Sequence, residues 1–393
     1  MKILVLATDI YTRGGIARHT YTFASAWVDL LGPENVHLLA LLGAGHPSDL
    51  HPRFRLFGPL ADRLTTAAKV QFAWKALALA RHKYDLIVCS HLSLTPVAAA
   101  IRSIYGTPFW AVCYGSETWA PLPLFKRAAL RRSSLLLPMS RFTAEKLSEI
   151  HQIAQGSQCI VYTTIPSDFV ELLTAPAGPR GTEASPADNE SILLSVGSLT
   201  RSHAYKGFDT VIRALPLVLE RVPNLRYVII GVGDDQPRLE KLTAELQVGA
   251  HVTFAGSVSN EQLAKYYHSC DAFVLPSKAT LRNGSWEGEG FGRVYVEAAL
   301  AAKPVVGSHA GGAAEAVLHG KTGLLVDPSS VEAVARALVT LLRDVDLRAS
   351  MGAAGRKWAM ENFTEEALRR RLAELIQLQF TAETGRSWVM AAK

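Results

Sequence analysis

Cysteine is scarce in this chain, and the few present stand apart. Cys89, Cys113, Cys159 and Cys270 are the four among 393 residues. No two form a C-x-x-C, and no histidine accompanies them at finger spacing. That excludes a disulfide scaffold and a zinc module, and leaves small buried thiols in a reducing compartment. Charge is thin as well. Asp, Glu, Lys and Arg make up 19% of the chain against 49% hydrophobic residues, which excludes a disordered protein and suits a well-cored one. The net charge of +6 and pI of 9.1 favour anionic ligands or an anionic membrane surface. The basic residues never make the dense stripe of a dedicated nucleic-acid binder. Every apolar run falls well short of the ~20 residues that a spanning helix needs. The opening MKILVLATDIYTRGG holds a short apolar run ending in Asp9, so it reads as a first strand and not as a secretory signal. A cytoplasmic protein, touching a membrane at most from the side, is expected.

What is present is rhythm. KILVLAT (Lys2 to Thr8), VHLLALL (Val36 to Leu42), DLIVCSH (Asp85 to His91), PFWAVCY (Pro108 to Tyr114) and SLLLPMS (Ser134 to Ser140) are short apolar runs with helical segments between most of them. This is the βαβ alternation of a parallel, doubly wound α/β sheet. TAPAGPRGTEASPADNES, from Thr174 to Ser191, is rich in Pro, Gly, Ala and acids and has no apolar period, so it reads as a linker. The alternation then restarts with ILLSVGS, RYVIIGVGDD, HVTFAGS, DAFVLPS, PVVGSHAGG and GLLVDP. EEALRRRLAELIQLQF near the end is an amphipathic helix. The expected organisation is an N-terminal domain over 1–173, a linker over 174–191, a C-terminal domain over 192–362, and a final helical segment over 363–393. A chain of two doubly wound halves binds its ligand by default in the crevice at the strand ends, here expected in a cleft between the halves.

Two stretches carry chemistry. In GSWEGEGFGRVYVEAALAAKPVV, Glu289 and Glu297 stand eight positions apart around a glycine turn that opens a helix. Gly290 and Gly292 allow a tight turn and close backbone approach. The free N–H groups of the following helix make an anion site. A carboxylate at Glu297 suits a vicinal diol such as a ribose, with Glu289 aimed into the same pocket. The plainer alternative is that Glu289 caps the helix electrostatically and Glu297 is a solvated helix residue. In VGSLTRSHAYKGFDTVIRAL, Arg201 and Lys206 lie in a strand-to-helix loop. Two cations there would neutralise a diphosphate leaving group, unless they are simply solvated. The literal D-x-D of Asp344 and Asp346 falls in a helical region and reads as helix-end acids, while Asp234 and Asp235 read as loop caps. No metal site is expected. Gly231 and Gly233 give only G-x-G, which argues against a dinucleotide dehydrogenase.

The order VGS…YKGFDTVIRAL, VIIGVGDD, VTFAGSV, DAFVLPS, EGEGFGRVYVEAALAAKPVVGSHAGGAAEAV and GKTGLLVDP resembles the retaining glycosyltransferases of family 4. In the first half the resemblance is thinner and rests on GGIARH, YDLIVCSH, YGSE and SRFTAEKL. It implies a GT-B fold: two Rossmann-like domains, an interdomain cleft and a C-terminal crossover helix. It implies transfer of a hexosyl unit from a UDP- or GDP-sugar to a hydroxyl of a glycan, glycolipid or lipid-linked acceptor, as in polysaccharide biosynthesis. By that resemblance Lys206 and Arg201 hold the donor diphosphate, and Glu289 bonds the donor sugar. Backbone N–H groups of Phe291, Gly292 and Arg293 touch sugar and phosphates, Glu297 takes the ribose, and Gly256 to Val258 border the base. Gly14 and Gly15 close over the phosphates and, with Tyr114 and Glu117, face the acceptor. The implied reaction needs no metal and no further cofactor, and attack occurs on the face that the leaving group departs from.

The chain departs from the family pattern in places. Ser198 stands where an arginine is common, with Arg201 as substitute, and Tyr114 stands where a histidine is common. The loop from Lys278 to Glu287 is long and polar, and is expected to bear on donor or acceptor choice. PLFKRAALRRSSLLL sets Lys126, Arg127, Arg131 and Arg132 beside Leu124, Phe125 and Leu130, a basic amphipathic helix that would lie on an anionic bilayer or else be a solvated basic face. Two rival readings remain: a nucleotide-sugar-binding GT-B protein of another reaction type, such as an epimerase, and a non-catalytic partner.

Overall fold

The computed structural model describes residues 1–11, 15–43, 53–176 and 190–384. The chain forms two compact units, Met1–Thr164 together with the segment from Glu365, and Ile165–Thr364.

The first unit is built on six parallel strands: β1 (Ile3–Asp9), β2 (Val36–Leu42), β3 (Arg55–Phe57), β4 (Leu86–Cys89), β5 (Phe109–Cys113) and β6 (Leu135–Pro138), in the order β3-β2-β1-β4-β5-β6. Its strands are apolar on both faces because helices cover both. β1 shows how alternation divides the core. Ile3, Val5 and Ala7 join one cluster with Phe23, Trp27 and Trp110, while Leu4 and Leu6 join another with Phe72, Ile101 and Leu147. The helix Glu365–Thr384 supplies Leu368, Leu372, Leu375 and Ile376 to the first cluster, an apolar stripe at helical spacing that covers this sheet.

The second unit repeats the plan. β7 (Ser191–Val196), β8 (Leu225–Ile230), β9 (Val252–Gly256), β10 (Ala272–Val274), β13 (Val305–Ser308) and β14 (Gly323–Val326) lie in the order β14-β13-β10-β7-β8-β9. This is the same topology as the first sheet. The strand order reverses beside β7, where two crossovers leave in opposite directions and their loops open a crevice at the strand ends. The loop after β7 carries Lys206, and the loop after β10 carries Glu289.

Two expectations need correction. The division falls at Thr164 and Ile165, not at 173. Helix Ser167–Thr174 packs on helices Asn260–Ser269 and Arg293–Leu300, and His268 Nε2 donates to the Leu172 carbonyl at 2.9 Å. Most of the expected linker, residues 177–189, lies outside the described residues. The stretch Lys278 to Glu287 is also not irregular. Its residues form an antiparallel hairpin, β11 (Thr280–Arg282) and β12 (Ser285–Glu287), with Thr280 opposite Glu287. Asn283 and Gly284 turn it at φ of 50° and 76°, the left-handed pair that a two-residue hairpin demands.

Candidate functional site

The glycine turn is sterically forced. Gly292 sits at φ 87°, and a Cβ there would lie 2.3 Å from the Tyr295 ring. Gly312 packs so closely on the Gly290 carbonyl that its Cβ would come within 2.0 Å of that oxygen, and its N–H donates to the Glu289 carbonyl at 2.9 Å. Tyr295, wholly buried, anchors the next helix by donating to the Leu275 carbonyl at 2.7 Å. The helix Arg293–Leu300 therefore starts from a fixed turn at the end of β10. Its first turn has N–H groups with no acceptor inside the helix.

Glu289 does not cap this helix; Gly292 is the N-cap and no side chain bonds there. Its Oε2 instead takes a hydrogen bond from Lys206 Nζ at 2.7 Å. Both side chains are largely buried, 12% and 16% exposed. Burial pulls the Lys206 pKa down, but the charge and hydrogen bond of Glu289 together with Tyr205 outweigh it and leave the ammonium above its ordinary value. Lys206 also lies 5.5 Å over the Tyr205 ring. Gly207 follows at φ 81°, pressed against the Pro276 carbonyl, so the lysine loop is locked to the end of β10. A cation and an anion from loops 83 residues apart thus share one nook beside the glycine turn.

Glu297 is not solvated either. It is 7% exposed, and its Oε2 accepts from the buried Tyr267 hydroxyl at 2.9 Å. Arg293 Nη2 lies 4.0 Å from its other oxygen. Burial and the Glu297 charge together push the Tyr267 phenol well up, so it stays a donor. Tyr267 was not singled out from the sequence; a tyrosine thirty residues from its partner gives no local signal. The Phe291 ring meets Phe363 edge to face at 5.2 Å and belongs to the core, which leaves its backbone for any ligand contact. Gly256 is left-handed at φ 68°, with no atom within 4 Å of where a Cβ would stand, and Val258 is half-buried after it.

Arg201, expected beside Lys206, is exposed. Its N–H donates to Asp234 at 2.9 Å, and its side chain lines a pocket of 290 Å³ with Lys278, Arg282 and Glu287. Asp235 is committed to Arg238 through bonds of 2.7 and 2.6 Å. Ser198 donates to Thr200 at 3.3 Å. Asp344 caps its helix by accepting from the Leu347 N–H at 2.8 Å.

In the first unit, Gly15 begins the helix Gly15–Leu31, and Gly14 lies outside the described residues. Glu117 is turned on its own loop. Its two oxygens accept from the N–H groups of Tyr114 at 2.5 Å and Gly115 at 3.0 Å. Burial raises its pKa, and those N–H groups pull against the rise. The Tyr114 hydroxyl pairs with His19 Nδ1 at 3.2 Å, so it is engaged with the first helix. His91, the last residue of the YDLIVCSH stretch but given no role from the sequence, stacks on Tyr114 at 6.2 Å. Ser93 N–H donates to its Nδ1 at 3.1 Å, which leaves the proton on Nε2, and burial lowers its pKa. The expected basic helix is Leu124–Arg131. Leu124 and Phe125 are 75% and 62% exposed, but Leu130 faces the core. Arg131 donates to the His151 carbonyl and to Gln152, so it is not a free surface charge.

Comparison with known proteins agrees with this architecture. The model of the family described as glycosyl transferases group 1 matches residues 182–358, and that of Glycosyltransferase Family 4 matches residues 13–169. A GDP-mannose-dependent alpha-(1-6)-phosphatidylinositol monomannoside mannosyltransferase of Mycobacterium tuberculosis is 39% identical over 183 residues, 47% of each chain, so the match spans about half of that relative's length. A GDP-mannose-dependent monoacylated alpha-(1-6)-phosphatidylinositol monomannoside mannosyltransferase of Corynebacterium glutamicum is 31% identical over 277 residues, covering 68% of this chain and 69% of the relative. Among solved structures, Anabaena Alr3699/HepE in complex with UDP and glucose superposes with a TM-score of 0.72 at 19% identity, over 96% of this chain and 99% of the other. That likeness shows the GT-B fold.

Proposed function

The chain belongs to the glycosyl transferases of group 1, family 4, and from that premise we propose that it transfers a hexosyl unit from a GDP-sugar to a hydroxyl of a lipid-linked acceptor. The observation that carries this reading is the Lys206–Glu289 pair at 2.7 Å beside the Gly290–Gly292 turn, with the buried Glu297 one helical face further on. Guanosine is favoured over uridine because both mannosyltransferase relatives are named for GDP-mannose; a lipid acceptor is favoured because both are named for phosphatidylinositol mannosides.

In this reading the donor diphosphate lies on the first turn of helix Arg293–Leu300 and draws the Lys206 ammonium from its resting partner. Lys206 then stabilises the charge that develops as the sugar–phosphate bond breaks. Glu289, relieved of the lysine, accepts from hydroxyls of the transferred sugar. Glu297 keeps Tyr267 on one oxygen and offers the other to the ribose diol. An acceptor hydroxyl attacks C1 on the face that the diphosphate leaves, and a departing phosphate oxygen takes its proton. Configuration is retained. Lys206 and the helix N-terminus supply the positive field in this scheme, which requires no divalent ion. The rival two-carboxylate route needs a second acid opposite Glu289, and in this reading Glu297 is given to the ribose.

The first unit serves the acceptor, with Gly15, the Tyr114–Glu117 turn and His91 as its candidate surface. Leu124, Phe125, Lys126, Arg127 and Arg132 make the membrane-facing part of helix Leu124–Arg131 and its end, where an exposed apolar pair lies among cations. The test is incubation with radiolabelled GDP-mannose, in EDTA, with vesicles containing phosphatidylinositol mannosides. The reading predicts a labelled, chloroform-extractable product with an α-linkage. Labelled free mannose alone, a β-linked product, or transfer only after a divalent ion is added would contradict it.

A further inference from the structure

We propose that the pocket walled by the β11–β12 hairpin is a second anion subsite, built for a phosphate ester that also carries hydroxyl groups. It holds 290 Å³, the share of about ten waters at ~30 Å³ each. Three cations line it from separate stretches of backbone: Arg201 from the loop after β7, Lys278 from the loop after β10, and Arg282 from the hairpin. Among the described residues, none of these three side chains has an ion-pair partner. A fourth, Arg238, is neutralised by Asp235. Three like charges lining one small cavity repel each other, and an anion placed among them removes that cost through charge-assisted hydrogen bonds.

Two acids line the same pocket and define what else the ligand carries. Asp209 Oδ1 is buried and has no hydrogen-bond partner. A buried orphan acceptor calls for a donor, and a ligand hydroxyl supplies one. Glu287, opposite Thr280 across the hairpin, is the second acceptor. A bare dianion would meet both acids with no donor to offer. A phosphate flanked by hydroxyls satisfies cations and acids together. Tyr205 joins the pocket wall and lies under Lys206, so this subsite adjoins the Lys206–Glu289 nook through one aromatic ring. Lys278, Arg282 and Asp209 have no part in the donor scheme, whereas Arg201, which the family resemblance gives to the donor diphosphate, belongs to both readings, so the test rests on the hairpin cations.

A free phosphate ester and a lipid headgroup share this chemistry. Calorimetric titration of the full chain with glycerol 3-phosphate tests the first, and flotation with phosphatidylcholine vesicles containing phosphatidylinositol tests the second. The paired change Lys278→Ala with Arg282→Ala, on the hairpin surface, is the main variant; circular dichroism checks its fold. Saturable binding in either arm, weakened about tenfold in that variant, supports the proposal and names the source. Glu287→Gln should weaken glycerol 3-phosphate binding while leaving inorganic phosphate binding no weaker; the reverse order would overturn the hydroxyl half of the proposal. Absence of saturable binding in both arms, or equal binding by the paired variant, overturns the proposal. Inorganic phosphate binding as tightly as glycerol 3-phosphate would overturn its hydroxyl half. GDP titrated alongside separates the two readings: GDP binding retained when the phosphate arms fail leaves the donor site standing.

Discussion

Two turns in this molecule are built alike and behave differently. Each lies in the connection between a parallel strand and the next helix, each holds a left-handed or glycine-only residue, and each has a mostly buried carboxylate. In the turn after β5, Glu117 spends both oxygens on backbone N–H groups within its own loop. In the turn after β10, Glu289 reaches a side-chain cation from another loop. The first is satisfied locally and holds its own shape. The second holds a charge that an incoming anion could take over. The difference between a structural turn and a ligand-ready one therefore lies in whether the acid's partner can leave.

The largest break in this comparison comes at the ion pair. Lys206→Ala should lower kcat/KM about 10²–10³-fold, the scale of losing one preorganised charge stabiliser, while Glu117→Ala leaves donor affinity unchanged. Glu289→Ala should also cost stability, near the lower end of the about 3–5 kcal/mol for stripping one partner from a buried pair, since both side chains keep some exposure. Denaturant titration measures it.

Glycine substitutions come next. Gly292→Ala puts a left-handed alanine against Tyr295, so a loss toward the top of about 1–3 kcal/mol is expected. Gly256→Ala, left-handed but with open space around its Cβ, should lose only about 1 kcal/mol. Equal losses would show that the Tyr295 contact is not what fixes the glycine turn. Glu117→Ala leaves the Tyr114 and Gly115 N–H groups unpaired, and a loss of about 1–3 kcal/mol is expected, with nucleotide binding intact.

The smallest effect is a pH dependence. The Lys206 ammonium titrates higher in the folded chain than in the unfolded one. Its stabilising contribution is then complete below the ordinary lysine pKa and is lost as pH rises through the folded value. The stability gap between the wild type and Lys206→Met should hold steady through neutral pH and close only above a pH of about 10.4. A gap that closes at acid pH alone would assign the effect to Glu289.

The sheets were readable because buried parallel strands are continuous apolar runs, and β2 matches its expected bounds residue for residue. The hairpin was also written locally, in Asn283-Gly284, but a loop rich in polar residues hid that signal. The unit boundary was not local: helix Ser167–Thr174 is placed by contacts with helices about a hundred residues on. At the site, spacing picked out Glu289 and Glu297 but left capping and solvation open for both. What decides between those readings is a lysine 83 residues before Glu289 and a tyrosine 30 before Glu297. Tyr114 fared likewise, because His19, its hydroxyl partner, is 95 residues away. Arg201 and Lys206 are near neighbours in sequence, yet Lys206 is buried on Glu289 and Arg201 lines the hairpin pocket.

The most direct test of the central claim is thermal unfolding of the purified chain with GDP in EDTA, compared between the wild type and Lys206→Ala. At about a hundred times its Kd, GDP should stabilise the wild type by about 2.7 kcal/mol and leave the variant almost unmoved. Equal stabilisation of both proteins, or none of the wild type by GDP or UDP, would contradict a diphosphate site at Lys206 and Glu289.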